Sequence, residues 1–151
     1  MDSSTERAER EVRLAVARLM SAADRLDLEE FVAMFHADAD FHNPIGMVSR
    51  GRDEIRSLHE KLYSPTPPPG FPTFTDAAST GGVQAVRVLR PDVAIVDWHW
   101  TQTGARADEK EWPPREGTNT TVWARDEAGE WRVAAWRDKD FPPGFDRPPG
   151  H

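Results

Sequence analysis

The residue best suited to acid–base chemistry in this sequence is an aspartate near its end. Asp138 follows Trp136 by two residues in a stretch that alternates like a β-strand, so both side chains point to the same face. A carboxylate beside an indole in a poorly hydrated site has a raised pKa, which suits proton transfer next to a carbonyl group. The alternative is an ion pair at a solvated rim with Arg132, Arg137 or Lys139.

Tryptophans recur in three strand-like segments at residues 93–103, 117–125 and 131–139. Each Trp removes roughly 150–250 Å² from water when it is buried, so these side chains must face a core, a ligand or a partner. A face that mixes indoles with amide, hydroxyl and carboxyl groups favours a cavity for a flat, apolar small molecule. Side-chain alternation places on this face Trp98, Trp100, Asn119, Thr121, Trp123, Ala134, Trp136 and Asp138.

Three polar side chains are candidates for binding the oxygen atoms of such a ligand. Asn43, Asn119 and Thr121 can hydrogen-bond a carbonyl or a phenol and stabilise an enolate. The alternative is that they satisfy the indole N–H groups of the tryptophans. Both roles are compatible, depending on whether a ligand is present.

The histidines are weaker candidates for the general base, although histidine titrates near neutral pH. By strand parity His99 points away from Trp98 and Trp100, and His42 points away from Asn43, which favours structural or interface roles for both. The other three are expected at a helix C-terminus, on a helix surface and in the tail, and are His36, His59 and His151.

Composition excludes several classes of protein. The chain has 151 residues, 30% of them charged, with a net charge of -7, which fits one globular domain and argues against a nucleic-acid partner. It has no Cys, no set of converging metal ligands and no Gly-rich phosphate loop, so we expect neither a metal nor a cofactor. No apolar run is long enough for a membrane span and residues 1–6 do not resemble a signal peptide, so a cytoplasmic protein is expected.

The order of the predicted elements indicates an α+β fold. Helical periodicity predicts helices at residues 4–25 and 27–36 and a third that begins at Gly51. A short strand is predicted at residues 39–43, an extended Pro-rich loop at 64–72, a long loop at 104–117, and an antiparallel meander at 84–89, 93–103, 117–125 and 131–139. The Pro-rich tail, residues 141–151, either folds over the cavity mouth, binds a neighbouring chain or is exposed.

Two motifs in this order resemble the nuclear-transport-factor-2-like (NTF2-like) superfamily. They are Ala37-Asp38-Ala39 through Pro44-Ile45-Gly46 to Gly51-Arg52-Asp53-Glu54-Ile55, and the final Asp126-Glu-Ala-Gly-Glu-Trp-Arg-Val-Ala-Ala-Trp136. The resemblance covers residues 6–140 and is greatest to SnoaL-like polyketide cyclases and to SgcJ/EcaC-type proteins of enediyne and related antibiotic biosynthesis. It implies a single cone-shaped domain in which three N-terminal helices pack on a curved, mostly antiparallel sheet.

The ketosteroid isomerases of this superfamily supply a sharper comparison. The position of their general-base Asp falls here on Asn43, that of their oxyanion Tyr on Leu19, and that of their second oxyanion donor on Thr121. All three functional groups are absent, so that isomerase mechanism is not expected. The resemblance implies that the cavity is lined by Leu19, Asn43, Trp98, Trp100, Thr121, Trp123, Trp136 and Asp138.

Two functions from different classes remain open. One is a cofactor-free cyclase or related acid–base catalyst of a polyketide-type intermediate, with Asp138 as the base, since SnoaL-like cyclases start an aldol closure with a pocket Asp. The other is a non-catalytic accessory protein that holds or protects such an intermediate. A third possibility is a pure dimerisation module. A homodimer is expected in any case, because superfamily members pair through the outer sheet face, here with Ile95, Val122, Val133 and Ala135.

Overall fold

The computed structural model describes residues 3–142, so the predictions for the Pro-rich tail beyond residue 142 and for His151 lie outside the described residues. Three helices lie in this part of the chain. The first begins where Ser3 and Glu6 form a reciprocal capping box, and the second where the Asp27 carboxylate accepts from the Glu30 amide at 3.1 Å. The helices are α1, Ser4–Asp24; α2, Leu28–Ala33; and α3, Arg52–Leu62.

Nine strands form two sheets within residues 3–142. They are β1, Phe35–His42; β2, Val48–Arg50; β3, Pro72–Thr73; β4, Ala78–Arg90; β5, Val93–Thr103; β6, Arg106–Ala107; β7, Lys110–Glu111; β8, Arg115–Arg125; and β9, Trp131–Asp140. The large sheet has the order β2-β1-β9-β8-β5-β4, in which only β1 and β9 run parallel. The short strands β3, β6 and β7 form a second sheet. The predicted α+β class and the four-stranded meander are therefore confirmed.

Several predicted boundaries are wrong. Helix α2 ends before the predicted residue 36, because β1 already begins at Phe35 and pairs with β9. His36 therefore lies in a strand, where its Nε2 hydrogen-bonds the carbonyl of Ala124 at 3.0 Å, and does not cap a helix. Strand β4 begins at Ala78, ahead of the predicted residue 84, because pairing with β5 continues past two glycines. The predicted loop at 104–117 contains the β6–β7 hairpin.

A bulge in β9 changes which side chains face the helices. Val122 pairs with Ala135 while Trp123 pairs with Val133, so Ala134 is the extra residue. Val133 is consequently fully buried in the core, although alternation placed it on the outer face. The prediction that Ala134 shares the inward face is wrong, because alternation is interrupted at the inserted residue.

Two glycines make room for a tryptophan at one end of the sheet. Trp100 on β5 is paired with Gly81 on β4 and with Gly117 on β8. The indole of Trp100 lies directly over Gly117, where an added Cβ would be 2.5 Å from the ring and 2.0 Å from the carbonyl oxygen of Lys139. Only glycine at position 117 lets this indole lie flat against the sheet.

We predict that Gly117→Ala destabilises the protein by about 1–3 kcal/mol, the usual cost of forcing an extra methyl group into a packed site. Gly82→Ala is the matched control, because a Cβ at Gly82 meets nothing within 4 Å. The free energies of unfolding in urea measure both effects. Equal stabilities of the two variants would show that Trp100 does not depend on Gly117.

Candidate functional site

A cavity of about 610 Å³ lies between the helices and the inner face of the large sheet. Its wall is mostly aromatic and aliphatic, with a few polar groups at separate places. Of the predicted site residues, the structure places six on this wall, namely Leu19, Asn43, Trp98, Trp100, Trp136 and Asp138. They come from α1, the turn after β1, and strands β5 and β9, which are far apart in the sequence.

Three predicted ligand-binding residues do not line the cavity. Trp123 is completely buried in the core, and its indole N–H donates to Thr121 Oγ1 at 2.9 Å. The Thr121 hydroxyl in turn donates to the carbonyl of Val96 at 3.4 Å, so it satisfies an indole and cannot reach a ligand. Asn119 is buried as well and its side-chain amide is turned towards Asp138. Side-chain alternation predicted the sheet face of these three residues correctly, but it could not predict how deeply each side chain lies in the core.

Asp138 is held by two N–H donors at the cavity wall. Its Oδ1 accepts from Asn119 Nδ2 at 2.8 Å, and its Oδ2 accepts from Trp136 Nε1 at 2.6 Å. Burial raises the pKa of Asp138 to about 6, although both hydrogen bonds favour the ionised form. Each carboxylate oxygen has more than one lone pair, so both can still accept a proton from the cavity side.

The predicted alternative, a rim ion pair with Arg132, Arg137 or Lys139, is not what the structure shows, since the partners of the Asp138 carboxylate are Asn119 and Trp136. Arg137 contacts the carboxylate of Asp40 at 2.7 Å, and Arg132 contacts that of Asp126 at 3.4 Å. Both arginines are therefore already paired away from Asp138. The carboxyl of Asp138 is instead inside the cavity.

Arg115 is a cavity residue that sequence reasoning missed, because it was assigned to a loop. One guanidinium nitrogen is 3.0 Å from both carboxylate oxygens of Asp140, and another donates to Gln102 Oε1 at 2.8 Å. The same group lies over the rings of Trp100 and Trp112, at 5.3 and 5.1 Å. Asp140 neutralises its charge, which leaves Asp138 without a full counter-ion.

The side chain of Asn43 holds a turn at the cavity wall and carries no acid–base group. Its Oδ1 accepts from the backbone amides of Ile45 at 3.2 Å and Met47 at 2.8 Å, which holds the turn after β1. Because the oxygen is used in this way, the two N–H groups of Nδ2 are the part available to the cavity. Asn43 can therefore donate to a ligand oxygen but cannot remove a proton.

Two further donors and acceptors of the wall were not predicted. His59, expected on a helix surface, is only 4% exposed and lines the cavity, where burial lowers its pKa to about 4. Tyr63, one turn later, also lines it, and burial together with Asp24 raises the pKa of its hydroxyl well above the usual range. Burial likewise raises the pKa of Asp24. In the sequence, His59 and Tyr63 follow Ile55 at intervals of four residues. This spacing places them on the apolar face of α3 and could have indicated their position.

Two buried polar atoms, one on the cavity wall and one behind it, are unused. Within residues 3–142, Trp100 Nε1 and Asn119 Oδ1 are buried without a hydrogen-bond partner.

His99 lies outside the cavity wall, where its Nε2 is hydrogen-bonded to Glu116. Over the same described range, no group of three or more His, Asp or Glu side chains is arranged to hold a metal ion. Nor does any helix there have the length and apolar character needed to cross a membrane.

We predict that Asp138→Asn becomes more stable relative to the wild type as the pH rises from about 4 to about 6. The folded protein holds the Asp138 proton up to about pH 6, whereas the unfolded chain releases it near 3.8. The wild type therefore loses stability across this window, by up to about 1.4 kcal/mol per pH unit, and the variant does not. Urea unfolding at several pH values measures the difference, and a constant difference would mean that the carboxyl titrates normally.

The comparisons with known proteins agree on the family and the fold. A family model of the SnoaL-like domain matches residues 5–137. The search of curated proteins found no match to this chain. Among solved structures, a ketosteroid isomerase-like protein from Erwinia carotovora atroseptica has a TM-score of 0.73 at 17% identity, covering 89% of this chain and 96% of that one.

Two other solved structures have folds similar to that of this chain. An uncharacterised protein with a cystatin-like fold from Caulobacter vibrioides has a TM-score of 0.77 at 19% identity, over 91% of this chain and 92% of that one. An NTF2-like superfamily protein from Salmonella enterica has a TM-score of 0.69 at 18% identity, over 93% and 96%. At these identities the likeness shows the fold alone. The family model matches residues 5–137, most of this chain, which shows that the chain belongs to the SnoaL-like domain family.

Proposed function

We propose that this protein binds a planar, polyketide-like aromatic ketone and moves a proton at the carbon next to its carbonyl group, without a cofactor. The observation that carries the proposal is the state of Asp138, a carboxyl inside an aromatic cavity with a pKa of about 6. A base with a pKa slightly below neutral is ionised at pH 7 and is still able to take up a proton. The membership in the SnoaL-like family supports the same class of chemistry.

The shape of the cavity supports a flat ligand. Trp98 and Trp136 meet edge to face at 5.3 Å, and Phe41 stacks on Trp136 at 4.9 Å with 23° between the planes. A volume of about 610 Å³ falls within the usual range of small-molecule sites, roughly 300–1,000 Å³. Planar apolar rings pack well against such a wall and exclude water from the carboxyl.

The proposed step uses groups of this chain alone. Asp138 takes the proton from the α-carbon, and the electron pair of the broken C–H bond moves into the carbonyl to form an enolate. Asn43 Nδ2 is suited to donate to the enolate oxygen. The enolate carbon then attacks a second carbonyl of the same molecule to form the new C–C bond. The resulting alkoxide takes the proton back from the Asp138 carboxyl, which returns Asp138 to its ionised form.

A non-catalytic accessory function is the second candidate. It is favoured by one observation: each oxygen of Asp138 already accepts a hydrogen bond, so the carboxylate also serves to hold Trp136 and Asn119 in place. In that case the cavity binds an aromatic intermediate and keeps it from water. Both functions need the ligand to bind, and they differ in whether a proton leaves the α-carbon.

We predict that the protein accelerates exchange of the α-hydrogens of 2-tetralone, a small aromatic ketone, in deuterium oxide. The rate should rise with pH to about 6 and then level off, because the ionised form of Asp138 is the base. Asp138→Asn should lower the protein-dependent rate by roughly 100-fold or more, the usual contribution of a general base. Mass spectrometry of the recovered ketone measures the exchange.

The matched control is Asp97→Asn. Asp97 lies on the opposite face of the same sheet, where it accepts from the Thr120 hydroxyl at 2.5 Å, so this variant should keep the wild-type rate. If the wild type binds the ketone without accelerating exchange, or if Asp138→Asn exchanges as fast as the wild type, Asp138 is not the base. Binding alone would then support the accessory function.

We also propose that the outer sheet face pairs two copies of the chain. Ile95, Val122 and Ala135 are adjacent across β5, β8 and β9 and form an apolar row on that face. Val122→Arg should convert a dimer into a monomer in sedimentation, because a charge would be buried at the contact. Ligand binding should be unchanged. A wild type that sediments as a monomer at tens of micromolar would contradict the pairing.

A further inference from the structure

We infer that His59 is a hydrogen-bond acceptor for a hydroxyl group of the ligand, so that the cavity selects hydroxylated aromatic ketones. This inference rests on the proposed function, because it concerns how the other end of the same ligand is recognised. It adds a specificity residue on α3 to the proton-transfer group on β9. The ligand class that fits is a planar ketone with a phenolic or enolic hydroxyl one or two rings away.

The tautomer of His59 follows from one contact. Its Nδ1 is 2.7 Å from the carbonyl oxygen of Ile55, and a carbonyl can only accept, so Nδ1 carries the hydrogen. A neutral imidazole has a single N–H, which leaves Nε2 with a lone pair. Burial keeps the ring neutral at physiological pH, since its pKa is lowered to about 4. His59 is therefore set as an acceptor.

The side chains that contact the His59 ring do not hydrogen-bond its Nε2. Its ring is 4.6 Å from Phe31, 4.9 Å from Phe41 and 5.4 Å from Tyr63, all in tilted or edge contacts. In the described part of the chain, no donor is hydrogen-bonded to Nε2, and the side chain lines the cavity. Because no protein group in that part of the chain donates to Nε2, a water or a ligand hydroxyl within the cavity is the donor left to hydrogen-bond it.

The position of His59 relative to Asp138 defines the ligand. Phe41 contacts the His59 ring on one side and stacks on Trp136 on the other, and Trp136 donates to Asp138. A flat ligand along this wall therefore has Asp138 near one end and His59 near the other. Its acidic C–H and carbonyl group belong at the first end, and its hydroxyl at the second.

The test compares two probes that differ by one hydroxyl group, 2-acetylnaphthalene and 6-hydroxy-2-acetylnaphthalene. Calorimetric titration should show that the wild type binds the hydroxylated probe more tightly, by roughly 3- to 10-fold, the worth of one net hydrogen bond. His59→Phe keeps an aromatic ring but removes the acceptor, so it should abolish this preference and bring the ratio of the two affinities close to one. Tyr63→Phe removes the other hydroxyl-binding group at this end and should retain the preference.

Several outcomes would overturn the inference. An equal loss of affinity for both probes in His59→Phe would show that His59 only shapes the wall, and no change for either would show that it is not in contact. Loss of the preference in Tyr63→Phe alone would assign the hydroxyl to Tyr63. If neither probe binds the wild type, the proposed function itself fails, which is a distinguishable result.

A measurement on the wild type avoids dependence on the folding of a variant. In ¹⁵N-histidine-labelled protein, His59 should give the signals of an Nδ1–H tautomer from pH 5 to 8. Adding the hydroxylated probe should shift the Nε2 resonance upfield, as a new hydrogen bond to an unprotonated ring nitrogen does, and 2-acetylnaphthalene should not. An Nε2–H tautomer, or the same shift with both probes, would contradict the assignment.

Discussion

The site depends on one carboxyl group that two N–H donors hold inside an aromatic cavity. Asn119 and Trp136 each hydrogen-bond one oxygen of Asp138, which stabilises the charge, while burial opposes it. The balance brings the pKa to about 6, which neither effect would produce alone. The same contacts orient the indole of Trp136, so the acid–base group and the aromatic wall are positioned by a single interaction.

Backbone irregularities place this carboxyl and its neighbours. The bulge at Ala134 allows both Val133 and Trp136 to face inward, so β9 supplies the core at one end and the cavity wall at the other. Gly117 admits the indole of Trp100 beside Arg115 in the same region. These features make the sheet locally irregular, and they shape the cavity without changing the fold.

The fold itself is shared with structures that are 17–19% identical, so the chemistry must come from side chains. Here the side-chain oxygen of Asn43 is used by a turn, and the polar groups of the wall are divided between two ends. At one end Asp138 is ionisable. At the other His59 and Tyr63 remain neutral, because burial shifts the pKa of each towards its uncharged form. Such a division suits a ligand that is reactive at one end and recognised at the other.

The sequence by itself determined the α+β class, the meander and the presence of Trp98, Trp100, Trp136 and Asp138 on one sheet face, because alternation and turn residues are local properties. It could not determine how deep a side chain lies, since depth depends on what packs above it. The structure therefore places Trp123 and Thr121 in the core and His59 on the cavity wall. Hydrogen-bond partners 19 residues apart, such as Asn119 and Asp138, meet only through strand register, which one inserted residue in β9 shifts. Tertiary structure alone decides contacts of this kind.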